Sequence, residues 1–558
     1  MIPPSRPLAL AACLLMAAGA LPLDAQSATA RATRAPADSL TTREIAAHIR
    51  FLSSDLLAGR APATPGGALA TEYIATELVA AGVQPGLDSS YFQTVPIDVV
   101  TTNQSSVHVT VGGKASGTLN ATDDVVVFPG AATERSGADA DVVFVGYGAA
   151  APEYRWDDFK GVDVKGKILL VLVNDPPATR SEPDLFGGRA MTYYGRWTYK
   201  FEEAERRGAA GMLIIHTTEA AGYPWHTVVG SWTTPQRMLP RDPSLPAPLG
   251  FRGWITDSAA TALLRQAGLD LAALRTQAAT RDFRPVPTGI TLHVEFANRV
   301  EHLASRNVVG VVRGTDPRLR NEYVVFSAHW DHLGVGQPVN GDSIYNGAYD
   351  NASGVATLLA IARRAADAPP RGRSMYFVFV TAEESGLLGS DWFATHLPVP
   401  ARNVVADLNM DEVTPWGRVR DLRVLGADKS SLGDIFTRAI QPMGMRITPD
   451  EHPERGYFYR SDHFSFAKAG IPSVSINAGT DVVGKPAGWG LQKEEDFTAH
   501  DYHQPSDEMQ PDWDLRGAVQ IGEIVLDVGR RIAAASSVPT WNDDAEFKAA
   551  RERQRAEQ

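Results

Sequence analysis

Five short segments in the second half of the chain combine histidine and carboxylate side chains within one region. Histidine nitrogens and carboxylate oxygens are ligands that zinc and similar divalent cations take from proteins. A bound cation can lower the pKa of a water molecule toward ~7, and a nearby carboxylate can then accept the proton. The segments are SAHWDHLG (327–334), GAYDNASG (347–354), TAEESGLLGS (381–390), LNMDE (408–412) and YHQPSDE (502–508).

The elements that must position these segments belong to an α/β fold. Residues 290–535 alternate short β-like runs with helix-like runs, which is typical of a sheet with parallel strands. Sites in such sheets form beyond the carboxyl ends of the strands, and four of the predicted strands end in candidate ligands. Strands are predicted near 307–312, 322–327, 375–380, 404–410, 422–425 and 473–477, and helices over 353–366, 386–396, 431–442 and 515–534.

Each segment taken alone also has an ordinary structural explanation. Glu383 and Glu384 would suit a solvated pair at a strand end, and Asp350 before a helix would suit an N-cap. Isolated histidines such as His216 and His302 are more often strand or surface residues than ligands. The convergence of several carboxylates and histidines on one edge of the sheet is what favours a metal site.

The five segments together resemble the co-catalytic dizinc aminopeptidases of the aminopeptidase Y, glutamate carboxypeptidase and transferrin receptor group. They stand in the order found in that family, and the resemblance covers nearly all of the mature chain. The runs DVKGK (163–167) and KFEEAERRGAAGMLIIHTT (200–218) resemble a protease-associated domain. The resemblance implies a three-layer, phosphorylase/hydrolase-like zinc-peptidase domain with a mixed central sheet, interrupted by a β-rich protease-associated domain.

Carried over position by position, the resemblance implies a pair of Zn²⁺ ions bridged by Asp350. His329 and Asp411 would complete the protein ligands of one ion. Glu384 and His503 would complete those of the other ion.

The same resemblance implies roles for two further acids. Glu383 would be the general base that takes a proton from the attacking water. Asp331 would accept the second ring N–H of His329 and so fix the orientation of that ligand. An unusual cis peptide would follow the bridging aspartate, between Asp350 and Asn351.

A further run, YFYRSDH (457–463), resembles the substrate-side loop of the family. Tyr459, Tyr457 or Arg460 would face the tetrahedral intermediate, and the sequence does not choose among them. Glu412 follows the implied ligand Asp411 at a position that is often apolar in the family, so its role is open.

Composition limits the class of protein. With 44% hydrophobic and 21% charged residues, the chain can bury a large core. Its net charge of −12 argues against nucleic-acid binding, which would need a basic face. Its length of 558 residues predicts two or three domains.

The N-terminus is predicted to be a signal peptide. Arg6 precedes an apolar run that ends at Leu23, and small residues near Ala25 suit cleavage. Cys13, the only cysteine, lies in this run, so the mature protein would have no thiol. Because most of the apolar run follows Cys13, a lipoprotein anchor there is less favoured than a periplasmic or secreted enzyme. No later run approaches the ~20 apolar residues that span a bilayer.

These observations predict the organisation of the whole chain. Between about residues 124 and 289 the sequence pattern changes to short β-like runs, and afterwards it returns to β/α alternation. The predicted parts are a signal peptide (1–25), a disordered leader (26–37), the N-terminal part of the peptidase domain (38–123), a protease-associated insert (124–289), the catalytic zinc peptidase domain (290–540) and a charged tail (541–558).

The predicted function is an exported zinc-dependent aminopeptidase that hydrolyses N-terminal residues from peptides, with metal-activated water and a glutamate base. Two alternatives stay open: a carboxypeptidase or dipeptidase of the same family, and a non-catalytic binding protein. Peptides are the expected substrates, with no nucleic-acid partner and no integral membrane span in the mature chain. The oligomeric state is left open.

Overall fold

A mixed central sheet forms the core of the structure, a computed structural model that describes residues 39–556. The predicted signal peptide with Cys13 and the predicted leader lie outside these residues. Strands 404–409, 323–329 and 374–380 run parallel and adjacent, so their carboxyl ends share one edge. In spatial order the sheet contains Arg446–Thr448, Asp421–Leu425, Ser473–Ala478, Val404–Asn409, Tyr323–His329, Ser374–Val380, Val286–Val312 and Phe92–Thr102, with short strands Gln84–Pro85 and Gln236–Met238 added beside the last two.

The strand Tyr323–His329 is apolar on both faces because helices cover both faces. Val324, Phe326 and Ala328 pack into a large core with the helices Ser353–Asp367 and Arg516–Ala534. Tyr323 and Val325 alternate with them and belong to a separate core on the opposite face. The predicted α/β class, with a mixed sheet between two helical layers, is confirmed.

A second sheet occupies much of the region between residues 108 and 297. The strand Val286–Val312 joins both sheets, since its first half pairs in the second sheet and its second half in the central one. The boundary predicted at 289/290 therefore falls inside a continuous strand, and the assignment to a protease-associated domain stays a prediction. In spatial order this sheet contains Gly117–Leu119, His108–Gly113, Val286–Val312, Arg135–Phe144, Ile168–Leu172, Gly211–His216, Phe251–Thr256 and Val125–Phe128.

The helices predicted in the catalytic region are confirmed to within a few residues at their ends. The first helix begins at an N-cap, since the Thr41 hydroxyl accepts the Glu44 N–H at 3.2 Å. The helices are Thr42–Leu52, Pro65–Ala80, Trp197–Arg206, Thr218–Ala221, Trp225–Trp232, Asp257–Gln266, Leu271–Ala278, Ser353–Asp367, Leu388–Thr395, Leu432–Ile440, His463–Lys468, Trp489–His500, Arg516–Ala534 and Lys548–Ala556.

The charged tail docks on the fold as the helix Lys548–Ala556. Arg551 is buried there and donates to the main-chain carbonyls of Ala401 and Val404 at 3.1 and 2.8 Å. Over residues 39–556, no helix is long and apolar enough to cross a membrane.

Candidate metal centre

Three neighbouring parallel strands bring three of the candidate segments to one edge of the central sheet. The strand Tyr323–His329 ends in His329 itself. The strand Ser374–Val380 leads through two residues to Glu383 and Glu384, and the strand Val404–Asn409 leads to Asp411. Because the strands are parallel and in register, His329 pairing with Val380, their last residues meet.

The fourth segment forms a turn, Ala348–Ala352, immediately before the helix Ser353–Asp367. The Asp350–Asn351 peptide in this turn is cis, at the position that the resemblance implied. The preceding Gly347 has φ 59°, and a Cβ there would lie 2.3 Å from the Asp350 carbonyl oxygen. A side chain at 347 would therefore displace the backbone that carries Asp350.

The two carboxylate oxygens of Asp350 face different partners. Oδ1 lies 3.3 Å from His329 Nε2, which in turn lies 3.1 Å from Asp411 Oδ1. Oδ2 lies 3.2 Å from His503 Nε2, which lies 3.0 Å from Glu384 Oε2. Asp350 thus stands between two pairs, each made of one histidine and one acid.

These separations fit a pair of zinc ions. In a tetrahedral site with metal–ligand distances of about 2.0–2.1 Å, neighbouring ligand atoms lie about 3.3 Å apart. Within residues 39–556, His503 Nε2 makes no hydrogen bond of normal geometry despite the two nearby oxygens. Burial alone would lower the pKa of His503, but the close carboxylates of Asp350 and Glu384 outweigh it and raise this pKa to about 10, so positive charge is favoured at this point. The residues present fit the metals that the sequence predicts.

The candidate base lies in an acidic, buried setting. Burial and the neighbouring charges of Glu384, Asp462 and Asp411 raise the pKa of Glu383 well above its ordinary range, although His329 opposes them. A carboxylate held in this way binds a proton more readily than one in water. Glu383 is therefore suited to accept a proton and to return it.

The contact predicted between His329 and the Asp331 carboxylate needs a correction. His329 Nδ1 lies 3.2 Å from the main-chain carbonyl oxygen of Asp331, and 3.9 Å from its carboxylate Oδ1. That carboxylate instead accepts the main-chain N–H of Glu383 at 3.2 Å. Asp331 consequently contacts a candidate ligand through its main-chain carbonyl and the candidate base through its carboxylate. The sequence could not predict the first contact, because every residue type has a main-chain carbonyl.

Comparison with known proteins gives a match to the description Peptidase family M28 over residues 307–528. This range contains the five candidate ligands and Glu383. The chain contains an M28 peptidase domain.

Three of the curated relatives of this region are aminopeptidases by name. A probable leucine aminopeptidase 2 from Aspergillus oryzae is 27% identical over 222 residues, covering 38% of this chain and 42% of that protein. Aminopeptidase YwaD from Bacillus subtilis is 26% identical over 213 residues, covering 37% and 40%. Probable lipoprotein aminopeptidase LpqL from Mycobacterium tuberculosis is 26% identical over 233 residues, covering 38% and 43%. The chain spans less than half of the length of each of these relatives.

Two solved structures are similar over most of their length. The aminopeptidase from Aneurinibacillus sp. strain AM-1 is 19% identical with a TM-score of 0.47, covering 90% of this chain and 96% of that one. BSAP, a zinc aminopeptidase from Bacillus subtilis, is 19% identical with a TM-score of 0.40, covering 89% and 95%.

Asp507 supports the turn that carries the candidate bridging residue Asp350 and was not among the predicted site residues. Its carboxylate accepts the main-chain N–H of Tyr349 at 2.9 Å and that of Asp350 at 3.0 Å. The segment YHQPSDE already contained this residue, four positions after the candidate ligand His503. Two acceptors aimed at consecutive N–H groups fix the turn on which Asp350 stands.

Ser461 supports a second candidate ligand, Asp411. Its hydroxyl donates to Asp411 Oδ2 at 2.7 Å and accepts from Asn409 Nδ2 at 2.9 Å. On the other side of the site, His332 Nδ1 lies 2.7 Å from Glu384 Oε1. Such outer contacts hold a ligand in one orientation and typically change metal affinity about 10–100-fold.

Arg60 is a further residue that the sequence did not reveal. It is fully buried and donates to the main-chain carbonyls of Trp330 at 2.7 Å, Gly347 at 2.6 Å and Asp350 at 3.2 Å. It also contacts the carbonyls of Leu52 and Asn346. One guanidinium therefore fastens both loops that carry His329 and Asp350, and its charge faces an acidic site.

Replacing Arg60 with methionine is expected to lower the free energy of unfolding by about 3–5 kcal/mol, because five buried carbonyls lose a charged donor. Urea unfolding of the wild type and the variant measures this difference. Arg50→Met, at an exposed position of the first helix, is the matched control and should unfold near the wild-type midpoint. Equal midpoints for Arg60→Met and wild type would contradict the role given to Arg60.

The substrate-side candidates differ in their surroundings. Tyr459 is buried, and its hydroxyl donates to Glu546 at 2.7 Å within an aromatic cluster. The Tyr457 hydroxyl accepts from Arg455 at 2.9 Å. Arg460 is exposed, with its guanidinium 5.6 Å from the Tyr457 ring centre. The Tyr459 side chain is therefore used for packing in the aromatic cluster. Of the three candidates, Arg460 has the most accessible polar group.

Proposed function

We propose that this chain is an exported dizinc aminopeptidase that removes N-terminal residues from peptides. The observation that carries the proposal is that the two carboxylate oxygens of Asp350 face different histidines. One oxygen lies 3.3 Å from His329 Nε2 and the other 3.2 Å from His503 Nε2. The M28 domain and its similarity to aminopeptidases from Aspergillus oryzae and Bacillus subtilis support the reaction class.

Five side chains would hold the ions. Asp350 would lie between them, His329 and Asp411 would bind one, and Glu384 and His503 would bind the other. When bound, two such ions lower the pKa of a water molecule and polarise a scissile carbonyl.

Glu383 would carry the proton. Its carboxylate takes a proton from the attacking water and gives it to the leaving amine nitrogen, a role often worth ~10²–10⁴ in rate. Asp331 keeps this base in place, because its carboxylate holds the Glu383 N–H while its carbonyl contacts His329. Arg60 and Asp507 would keep Asp350 in place through its main chain, Arg60 at the carbonyl oxygen and Asp507 at the N–H.

Metal analysis and a substrate panel test the proposal together. We expect about two zinc ions per chain after dialysis and hydrolysis of a tripeptide with a free N-terminus. The N-acetylated form of the same tripeptide should not be hydrolysed, because its first residue has no free amine. Hydrolysis of the acetylated peptide would contradict the aminopeptidase proposal.

A dipeptidase or carboxypeptidase is the second candidate, and one observation favours it. Burial and the neighbouring guanidinium of Arg460 lower the pKa of Arg196 to about 10. Within residues 39–556, Arg196 Nε has no hydrogen-bond partner, and neither arginine forms an ion pair. Arg460 adjoins Ser461, which contacts Asp411, so Arg460 is next in sequence to a residue of the centre. A guanidinium group without an ion pair there would suit the free carboxylate of a short peptide.

A dipeptide and its C-terminal amide separate the two candidates. A dipeptidase should hydrolyse the amide on the order of 10- to 100-fold less efficiently, since a charged contact is lost. An aminopeptidase that does not use the arginines should hydrolyse both forms with similar kcat/KM.

Export rests on the sequence of residues 1–25, which is that of a signal peptide. Expression with and without this segment, followed by fractionation, tests it. Equal amounts of the protein outside the cytoplasm in both cases would contradict the proposal.

A further inference from the structure

Residues 191–196 form a short arm of the second sheet that contacts the loop beside the candidate metal centre. The arm lies in the connection between the strands Ile168–Leu172 and Gly211–His216. Thr192 anchors it in its own region, because its N–H and its hydroxyl both donate to the Asp175 carboxylate, at 2.8 and 2.6 Å. The arm therefore presents its neighbouring side chains from a fixed backbone.

Two kinds of contact join the arm to this loop. The main-chain N–H of Met191 donates to the carbonyl oxygen of Pro453 at 2.9 Å. The buried ring of Tyr193 packs against the rings of Tyr459 and Phe464, with ring centres 6.2 and 5.2 Å apart. The loop that carries these three partners is consequently held at both of its ends.

The loop in turn positions a candidate metal ligand. Ser461 lies two residues after Tyr459 and three before Phe464, and the Phe464 N–H donates to its carbonyl oxygen at 3.0 Å. The Ser461 hydroxyl donates to Asp411 Oδ2 at 2.7 Å. Within residues 39–556, Ser461 is the one donor to the Asp411 carboxylate besides the candidate ligand His329. Movement of the two rings would therefore move the group that orients Asp411.

Holding the two sheets together does not require this contact. The strand Val286–Val312 runs through both sheets. The strand Gln236–Met238, which lies between second-sheet strands in the chain, also pairs with Phe92–Thr102 of the central sheet. The arm adds its contact beside the candidate centre, so a role in that centre explains its location better than a role in joining the sheets.

We infer that Tyr193 is a positioning residue of the metal centre, whose ring holds the loop so that Ser461 keeps Asp411 directed at its ion. The inference rests on the proposed dizinc centre, since Asp411 is a ligand only there. Asp411 would bind one ion of the pair, whereas Glu384 and His503 would bind the other. Loss of the arm contact should consequently weaken one ion and spare the second.

Zinc affinity of a variant without this ring tests the inference. In Tyr193→Leu, competition with a chelator should show one ion bound about 10-fold more weakly, the lower end of the range for loss of an outer contact, and the other bound as in the wild type. Tyr193→Phe keeps the ring and should bind both ions normally, although it loses the hydroxyl contact with Glu202. Phe283→Leu is the matched control, because Phe283 is a buried ring in a core of the second sheet, packs edge-on against Phe144, and should keep wild-type zinc affinity when shortened.

Amide hydrogen exchange of the wild type provides a second test that needs no variant. If the arm steadies a ligand, bound zinc must steady the arm by the same factor, because coupling between two sites is reciprocal. Zinc loading should therefore slow exchange of the Met191 N–H about 10-fold. The Gly268 N–H, which donates to the Arg265 carbonyl at 3.0 Å after the helix Asp257–Gln266, should exchange at the same rate in both states.

Three results would overturn the inference. The first is wild-type affinity for both ions in folded Tyr193→Leu. The second is an equal loss in Tyr193→Leu and Phe283→Leu, which would show that general destabilisation of the second sheet weakens zinc binding. The third is exchange of the Met191 N–H at the same rate with and without zinc, which decides alone if Tyr193→Leu does not fold. Absence of zinc from the wild type would remove the proposed centre together with the inference, and is detected before any variant is made.

Discussion

Substitution of Glu383 by glutamine is expected to lower kcat by about 10²–10⁴-fold while the zinc content stays at the wild-type value. The reason is that glutamine keeps the size of the side chain and removes its ability to take a proton from water. Asp331 contacts only the main-chain N–H of Glu383, and glutamine keeps that N–H. The Glu383 carboxylate is therefore not needed to hold the candidate ligands. Steady-state hydrolysis of a tripeptide, with metal analysis of the same samples, measures both quantities.

The control for Glu383 is another glutamate near the same centre. Glu508 is exposed and follows Asp507 in the loop that carries His503, so Glu508→Gln should hydrolyse peptides at the wild-type rate. Full activity in Glu383→Gln would remove the general base from the mechanism. Loss of zinc in that variant would mean that Glu383 holds metal, which contradicts the assignment of five other ligands.

The end points of buried strands made the centre predictable from sequence. His329, Glu384 and Asp411 each follow a run of β-branched and aromatic residues, and parallel strands must end at one edge. The structure brings these three residues together with Asp350 and His503 at separations of 3.0–3.3 Å. Local pattern was sufficient here because the chemistry lies directly at the ends of the regular elements.

Contacts to main-chain atoms made the supporting residues unpredictable. Arg60 donates to carbonyls that lie 270 to 290 positions later in the chain, and any residue type can supply a carbonyl. The same holds for Asp331, whose carboxylate accepts a main-chain N–H 52 positions later. No side-chain spacing in the sequence reports such pairs.

The region between the two sheets shows another limit of sequence patterns. Apolar alternation in the strand Val286–Val312 ends near residue 296, mostly exposed residues follow, and a continuous buried run begins near residue 307. Such a break in the pattern predicts two separate strands, whereas the backbone continues as one strand from the second sheet into the central one. Tyr459 gives a related case, because its hydroxyl is used by Glu546, 87 positions later. A tyrosine in a loop beside a site looks available until that partner is known.

Replacing Asp350 with alanine is expected to abolish both zinc binding and hydrolysis, whereas replacing His503 with alanine should remove only one ion. The reason is that in the proposed centre Asp350 would contribute one oxygen to each ion, while His503 would contribute to one ion only. Loss of a shared ligand also leaves the remaining acids close together without a cation between them, which weakens what is left of each site. The effect should exceed the ~10–100-fold loss of affinity typical of an outer contact.

Zinc per chain, measured after dialysis against a weak chelator, distinguishes these expectations. Asp350→Ala should approach zero, His503→Ala about one, and the wild type about two, as a centre with one shared carboxylate requires. Asp342→Asn, at an exposed acid that begins the short strand Asp342–Tyr345 before Asp350, should bind zinc as the wild type does. If Asp350→Ala kept one ion and His503→Ala kept none, the carboxylate would not be shared, and the centre would consist of two unequal sites. If the Asp350 carboxylate is shared between two ions, the two variants must lose different numbers of ions. Counting the metal ions bound by each variant therefore decides whether it is shared.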